Sequence, residues 1–187
     1  MPVKPGGGLP CALVLMCVSG SGKSTVADRL AEKLSWIYED GDRFHPASNV
    51  AKMRAGHPLT DEDRWPWLQA IADEIDRACN AGQRLVIACS ALKRAYRDVL
   101  VHGRNDVRIV FLNGTKELIA SRLAQRRGHF MPAGLLDSQF KTLEPPGTDE
   151  NPITVSIDAS VESIVEDIMR QLQTGSSDRD KTCGIPT

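Results

Sequence analysis

An α/β fold, with a parallel sheet covered by helices on both faces, follows from three features of the 187-residue sequence. Short apolar runs of strand length alternate with stretches in which apolar residues recur at helical spacing. The first run, Cys11 to Val18, is continuously apolar, as suits a strand buried on both faces. It leads directly into Ser19-Gly20-Ser21-Gly22-Lys23-Ser24-Thr25, a glycine-rich turn placed to open a helix.

The elements follow in order. Residues 1–10 read as a glycine- and proline-rich flexible leader, and residues 175–187 as a disordered polar tail. The domain between them spans 11–174. Lys4 followed by Leu9 to Val18 looks like a short signal peptide. Cleavage there would destroy the glycine-rich turn, so the run is read as a buried strand. Val26, Leu30, Ala31 and Leu34 mark the first helix, and Trp36 to Glu39 a second strand. A helix is expected over Ala47–Ala55, then a longer one with Leu68, Ile71, Ala72, Ile75 and Cys79 on one face. Arg84–Cys89 is a third strand, Ala91–Leu100 a helix, Val107–Leu112 a fourth strand, and Lys116–Arg127 a helix. Ile153–Ile157 is a fifth strand, and Val161, Ile164, Val165, Ile168 and Leu172 line the last helix.

Composition limits the function. The formal net charge is -1, which argues against a nucleic-acid binder held by a broad basic surface. No apolar stretch approaches the ~20 residues a membrane-spanning helix needs. The five cysteines include no CxxC pair and no zinc-ligand spacing with the histidines, so free thiols in a reducing cytoplasm are expected.

The glycine-rich turn is a Walker A phosphate loop. Backbone N–H groups of Ser19 to Thr25 can point at phosphate oxygens, and the helix N-terminus adds partial positive charge. Lys23 reaches the β- and γ-phosphates of ATP, and the Ser24 hydroxyl ligates Mg²⁺. The usual pattern carries glycine where this chain has Cys17. Beside a helix N-terminus and Lys23, that thiol is expected to favour the thiolate and to be open to oxidation.

The third strand ends Ile87-Ala88-Cys89-Ser90, without the acid that many P-loop ATPases carry there. The acids follow the second strand instead, as Asp40-Gly41-Asp42. Asp40 is assigned to the metal shell and Asp42 to the proton of an attacking hydroxyl. Arg122 and Arg126 share a helix face and can gather around a transferring phosphoryl group, with Arg126 assigned the catalytic part. Gly128 to Pro132 breaks the helix and could cover the site, giving a lid over about 122–145. No Asn-Lys-x-Asp guanine-reading segment occurs, which argues against a regulatory GTPase.

With these residues in hand, the chain resembles the small gluconokinases, relatives of shikimate kinase and the nucleoside monophosphate kinases. The resemblance runs through Met16–Thr25, Asp40–Asp42 with His45-Pro46, Pro58–Arg64, Trp67-Leu68, Cys89–Arg94, Tyr96–Asp98, Gly128–Phe130, and Ser138–Phe140 with Thr142–Glu144. It implies a P-loop kinase with a five-stranded parallel sheet, a small helical lid, MgATP as donor and a homodimer. It implies phosphorylation of D-gluconate to 6-phospho-D-gluconate; a kinase of another small hydroxylated acid such as shikimate is the alternative. It also implies a sugar-acid pocket of Asp42, His45, Arg54, Arg64, Lys93, Arg97, Arg127 and His129. Such a pocket needs cations for a carboxylate and mixed donors and acceptors for a row of hydroxyls. Trp65, Trp67 and Phe140 are read as core.

Overall fold

A computed structural model describes residues 8–125 and 133–177. Five strands form one parallel sheet in the order β2-β3-β1-β4-β5. They are β1 Ala12–Met16, β2 Ile37–Asp40, β3 Leu85–Ala88, β4 Val107–Asn113 and β5 Ile153–Ser156. Among the described residues the helices are α1 Lys23–Leu34, α2 Ala47–Arg54, α3 Asp61–Asn80, α4 Arg94–Val101, α5 Lys116–Gln125, α6 Ala133–Thr142 and α7 Val161–Ser177.

β1 is central, pairing Ala12 with Leu85 on one side and with Val107 on the other. All five of its residues are fully buried. A buried Leu or Val contributes about 1.5–3 kcal/mol, so this apolar strand is itself a large part of the core. Because β1 has β3 on one flank and β4 on the other, the chain leaves its carboxyl end toward both halves of the sheet. Ligands of open α/β sheets sit at such a point.

α1 buries Val26, Ala27, Leu30 and Ala31, the face that helical spacing marks out. α3 begins with a capping box in which the Thr60 hydroxyl accepts from the Asp63 N–H and the Asp63 carboxylate accepts from the Thr60 N–H. Its buried face is Trp67, Leu68, Ile71, Ala72, Ile75 and Ala78.

Several expectations need correction. α4 starts at Arg94 rather than Ala91, because Ala91 has φ 42° and cannot continue a helix. By contrast, α6 falls within the segment expected as a helical lid. α7 runs to Ser177, into the stretch expected as tail. Cys11 and Cys79 form a disulfide, with their Cα atoms 5.6 Å apart, instead of two free thiols. Trp65 is 38% exposed rather than core. No helix among the described residues is long and apolar enough to cross a membrane.

Candidate active site

The phosphate loop leaves β1 through buried Cys17 and Val18. Gly20 and Gly22 have φ of 83° and 95°, the left-handed region that favours glycine. A Cβ on Gly20 would also lie 2.6 Å from Leu123 of α5. The Val18 carbonyl accepts from both the Ser21 hydroxyl and the Lys23 ammonium, each at 2.9 Å. Ser19 N–H donates to Gln139 Oε1 at 2.6 Å, and Gln139 Nε2 donates to the Ser19 hydroxyl at 3.2 Å. Ser24 and Thr25 are exposed in the first turn of α1.

Burial pushes the Lys23 ammonium below its ordinary value, opposed by Cys17, Asp42, Cys89 and Asp40. Both carboxylates of the acidic turn therefore act on the loop lysine. Burial pushes the Cys17 thiol up, and this outweighs Lys23 and the hydrogen bonds to Ser21 and Val18. The expected reactive thiolate is thus corrected: Cys17 is a buried packing residue, 1% exposed. Cys89 is pushed up to about 12 by burial.

The acidic turn lies at the carboxyl end of β2. Asp40 Oδ1 accepts from the Asp42 N–H at 3.0 Å and caps a short 3₁₀ turn, Gly41–Phe44. A Cβ on Gly41 would meet the Ala88 carbonyl at 2.6 Å, so only glycine lets the turn lie against β3. Trp67 Nε1 donates to the Gly41 carbonyl at 2.7 Å. The His45 ring stacks on Trp67, with centroids 4.2 Å apart and planes 13° apart. Asn49 Nδ2 lies 3.4 Å from His45 Nδ1 and donates to the Asp63 carbonyl at 2.7 Å. Burial lowers the His45 value; Asp42 raises it and Arg64 lowers it further.

Beside this turn, Lys93 reaches both Asp61 oxygens, at 2.9 and 2.8 Å. Tyr96 donates to Asp61 Oδ1 at 2.6 Å. Hydrogen bonds from Lys93 and then Tyr96 hold the Asp61 carboxyl below its ordinary value. The Arg64 guanidinium sits 5.8 Å from the Tyr96 ring centre.

Of the expected site residues, Lys23, Asp40, Asp42, His45 and Arg64 come together as one electrostatic group. Arg54 is exposed on α2. Arg97 does not fit the pocket assigned to it. Its side chain is 1% exposed and pairs with Glu150 through Nε at 2.6 Å and Nη2 at 2.9 Å. Its Nη1 donates to the carbonyls of Ala91, Leu92 and Glu144. That guanidinium is consumed by the fold. Arg122 donates to the Ile157 carbonyl at 2.5 Å, which turns it toward the loop after β5. Arg126, Arg127 and His129 lie outside the described residues.

Sequence reasoning missed three supports: Asn49, Asp61 and Gln139. It took Trp67 as core, which holds for its ring but overlooks its N–H. Beyond β4 and β5 lies a cavity of about 310 Å³ lined by Asn113, Gly114, Thr115, Leu118, Ser156 and Asp158.

A phosphate loop at the central strand, facing a carboxylate turn across the carboxyl edge of a parallel sheet, defines a P-loop small-molecule kinase. Residues 13–146 match the family model described as an AAA domain. A gluconokinase of Gluconobacter oxydans is 46% identical over 164 residues, covering 88% of this chain and 92% of that protein. A probable gluconokinase of Mus musculus is 45% identical over 181 residues, covering 88% and 98%. The crystal structure of a gluconokinase from Sinorhizobium meliloti superposes with a TM-score of 0.85 at 38% identity, covering 95% of this chain and 99% of that one. The chain belongs to the gluconokinase family. A shikimate kinase from Bacteroides thetaiotaomicron shares the fold alone, at 17% identity and a TM-score of 0.64 over 87% of this chain and 98% of that one.

Proposed function

We propose that this chain is a gluconokinase, transferring the γ-phosphoryl group of ATP to the C6 hydroxyl of D-gluconate to give 6-phospho-D-gluconate and ADP. The observation that carries the reading is an intact phosphate loop whose lysine lies in the field of Asp42 and Asp40, on a chain of this family.

In this reading the loop amides from Ser19 to Thr25 bind the phosphates, and Lys23 leaves the Val18 carbonyl to meet the β- and γ-oxygens. Asp42 accepts the proton of the attacking hydroxyl. The Ser24 hydroxyl and the Asp40 carboxylate are hard oxygen donors, and Asp40 commits one oxygen to the Asp42 N–H, so the pair suits Mg²⁺. Bound there, the ion supplies neutralisation of charge on the phosphates. Arg126 gathers the equatorial oxygens of the transferring group, and Arg122 joins it on leaving the Ile157 carbonyl. Asp42, His45, Arg54, Arg64, Lys93, Arg127 and His129 form the sugar-acid side, with Lys93 oriented by Asp61. The cavity beyond β4 and β5 takes the nucleoside end, since it lies on the same sheet edge as the loop.

The domain is taken as 11–174, with the lid over about 122–145 and short flexible ends. A homodimer is proposed from the family resemblance, and exposed Met53, Trp65 and Leu135 offer apolar surface for it. The Cys11–Cys79 pair points to an oxidising setting and ATP as donor to the cytoplasm; the reading follows the donor.

A coupled ADP assay over a panel of sugar acids and shikimate tests the function. Gluconate is expected to give the highest kcat/KM. ADP release that is independent of any acceptor, or a preference for shikimate, would overturn the reading. Sedimentation of the purified chain at twice the monomer mass is the expected result for the dimer.

A further inference from the structure

We propose that Trp67 is a positioning residue: it fixes the turn that carries Asp40 and Asp42, and the ring of His45, in one geometry. The proposal rests on the reading of that turn as the site of phosphoryl transfer.

Burial alone does not account for a tryptophan here. A phenylalanine or leucine would fill apolar space on α3 without bringing a donor into it. Trp67 is 1% exposed, yet its N–H reaches across to the Gly41 carbonyl at 2.7 Å. Gly41 is itself buried, and a buried carbonyl that loses its partner is costly. The opposite side of Gly41 lies so close to β3 that a Cβ would meet the Ala88 carbonyl at 2.6 Å. The peptide between the two acids is therefore gripped from both sides. Rotation of that peptide would swing the Asp42 carboxylate and break its N–H contact with Asp40 Oδ1.

The same indole ring sets His45. The two rings stack at 4.2 Å and 13°, so the imidazole plane follows the indole plane. Asn49 completes the arrangement. Its amide nitrogen donates to the Asp63 carbonyl, which can only accept, and this fixes which end of the amide is nitrogen. The second amide hydrogen then faces His45 Nδ1, which accepts. His45 is left neutral with its proton on Nε2, a donor aimed away from Asn49 and available to an acceptor hydroxyl. The lowered value of His45, set first by burial, agrees with a neutral ring; Asp42 and Arg64 are the charged groups acting on it.

Three substitutions test this in the full chain. Benzothienylalanine at position 67 places sulfur where the N–H was and keeps the ring shape. Trp67→Leu removes both the donor and the stack. Ile75→Val, two turns along α3, is the stability control. The benzothienyl variant is expected to lower kcat about tenfold while the KM for MgATP stays within about twofold. Its His45 tautomer, read by nitrogen NMR, is expected to remain Nε2–H. In Trp67→Leu the His45 value is expected to rise toward 6.5 as its cover is lost. Ile75→Val is expected to leave kcat unchanged. Wild-type kcat in the benzothienyl variant would overturn the proposal, as would an unmoved His45 titration in a folded Trp67→Leu. Where Trp67→Leu does not fold, the isosteric variant decides. A wild-type protein inert toward gluconate, with His45 titrating as expected, would sink the substrate reading and leave the positioning role standing.

Discussion

Lys23 and Arg97 are two cations drawn from the chain's motif segments, and they have opposite fates. Lys23 holds a single carbonyl, that of Val18, and feels two carboxylates that it does not touch. Arg97 spends Nε, Nη1 and Nη2 on Glu150 and three backbone carbonyls. One cation can be redirected to a ligand by giving up one bond. The other cannot be redirected without dismantling the packing of α4 against the segment around Glu150. The difference is between charge available for chemistry and charge consumed by the fold, and position in a recognisable motif does not decide between them.

The largest effects should separate these two residues. Lys23→Ala is expected to lower kcat by about 10³-fold, the upper scale for loss of one preorganised donor, with little change in thermal stability. Arg97→Leu should do the reverse. It strips two charge-assisted hydrogen bonds from the partly covered Glu150 carboxylate, which keeps the Gly147 N–H, at a cost of about 1.5–3 kcal/mol of stability. Denaturant unfolding should show that loss, while the kcat of the folded fraction stays near wild type. A folded Arg97→Leu with a raised KM for gluconate would put the guanidinium back in the pocket.

Asp42→Asn comes next. Loss of a positioned base is expected to lower kcat by about 10²-fold or more, and an effect confined to KM would make Asp42 a binding group.

Acid titration sharpens the comparison on the Arg97 side. Hydrogen bonds from Arg97 come first in holding the Glu150 carboxyl below its ordinary value of 4.5. Folding therefore favours the ionised form. The stabilisation is fully present above 4.5 and is lost as pH falls through the lower folded value. Unfolding curves between pH 5 and 2 should fall more shallowly for Arg97→Leu than for wild type.

The smallest expected effect concerns Cys17. Its thiol is buried and raised, so peroxide should inactivate wild type and Cys17→Ala at the same rate. Slower loss in the variant would restore a reactive thiolate at the loop.

The parts legible in the sequence are those whose meaning is local. Ser19 to Thr25 is one contiguous turn, and Asp40-Gly41-Asp42 stands at a strand end that apolar periodicity already marks. The five strands followed from short apolar runs for the same reason. What was hidden depends on contacts between distant segments. The Trp67 bond to Gly41 spans 26 residues, Arg97 to Glu150 spans 53, and Gln139 to Ser19 spans 120. The Cys11–Cys79 pair spans 68, far from any spacing that reads as a motif. The pocket role of Arg97 is what the family resemblance implies; only the fold brings Glu150 and three carbonyls around it. The helix α6 falls within the lid segment that the resemblance implies, although its few apolar residues, Leu135, Leu136 and Phe140, do not form a sustained helical stripe.

The central claim is that this crevice moves a phosphoryl group from ATP to gluconate. Phosphorus NMR of the protein with MgATP and D-gluconate tests it most directly. The account predicts one new phosphomonoester signal, coupled to the C6 protons and growing in step with ADP. Inorganic phosphate growing in step with ADP, with no phosphomonoester signal, would contradict it.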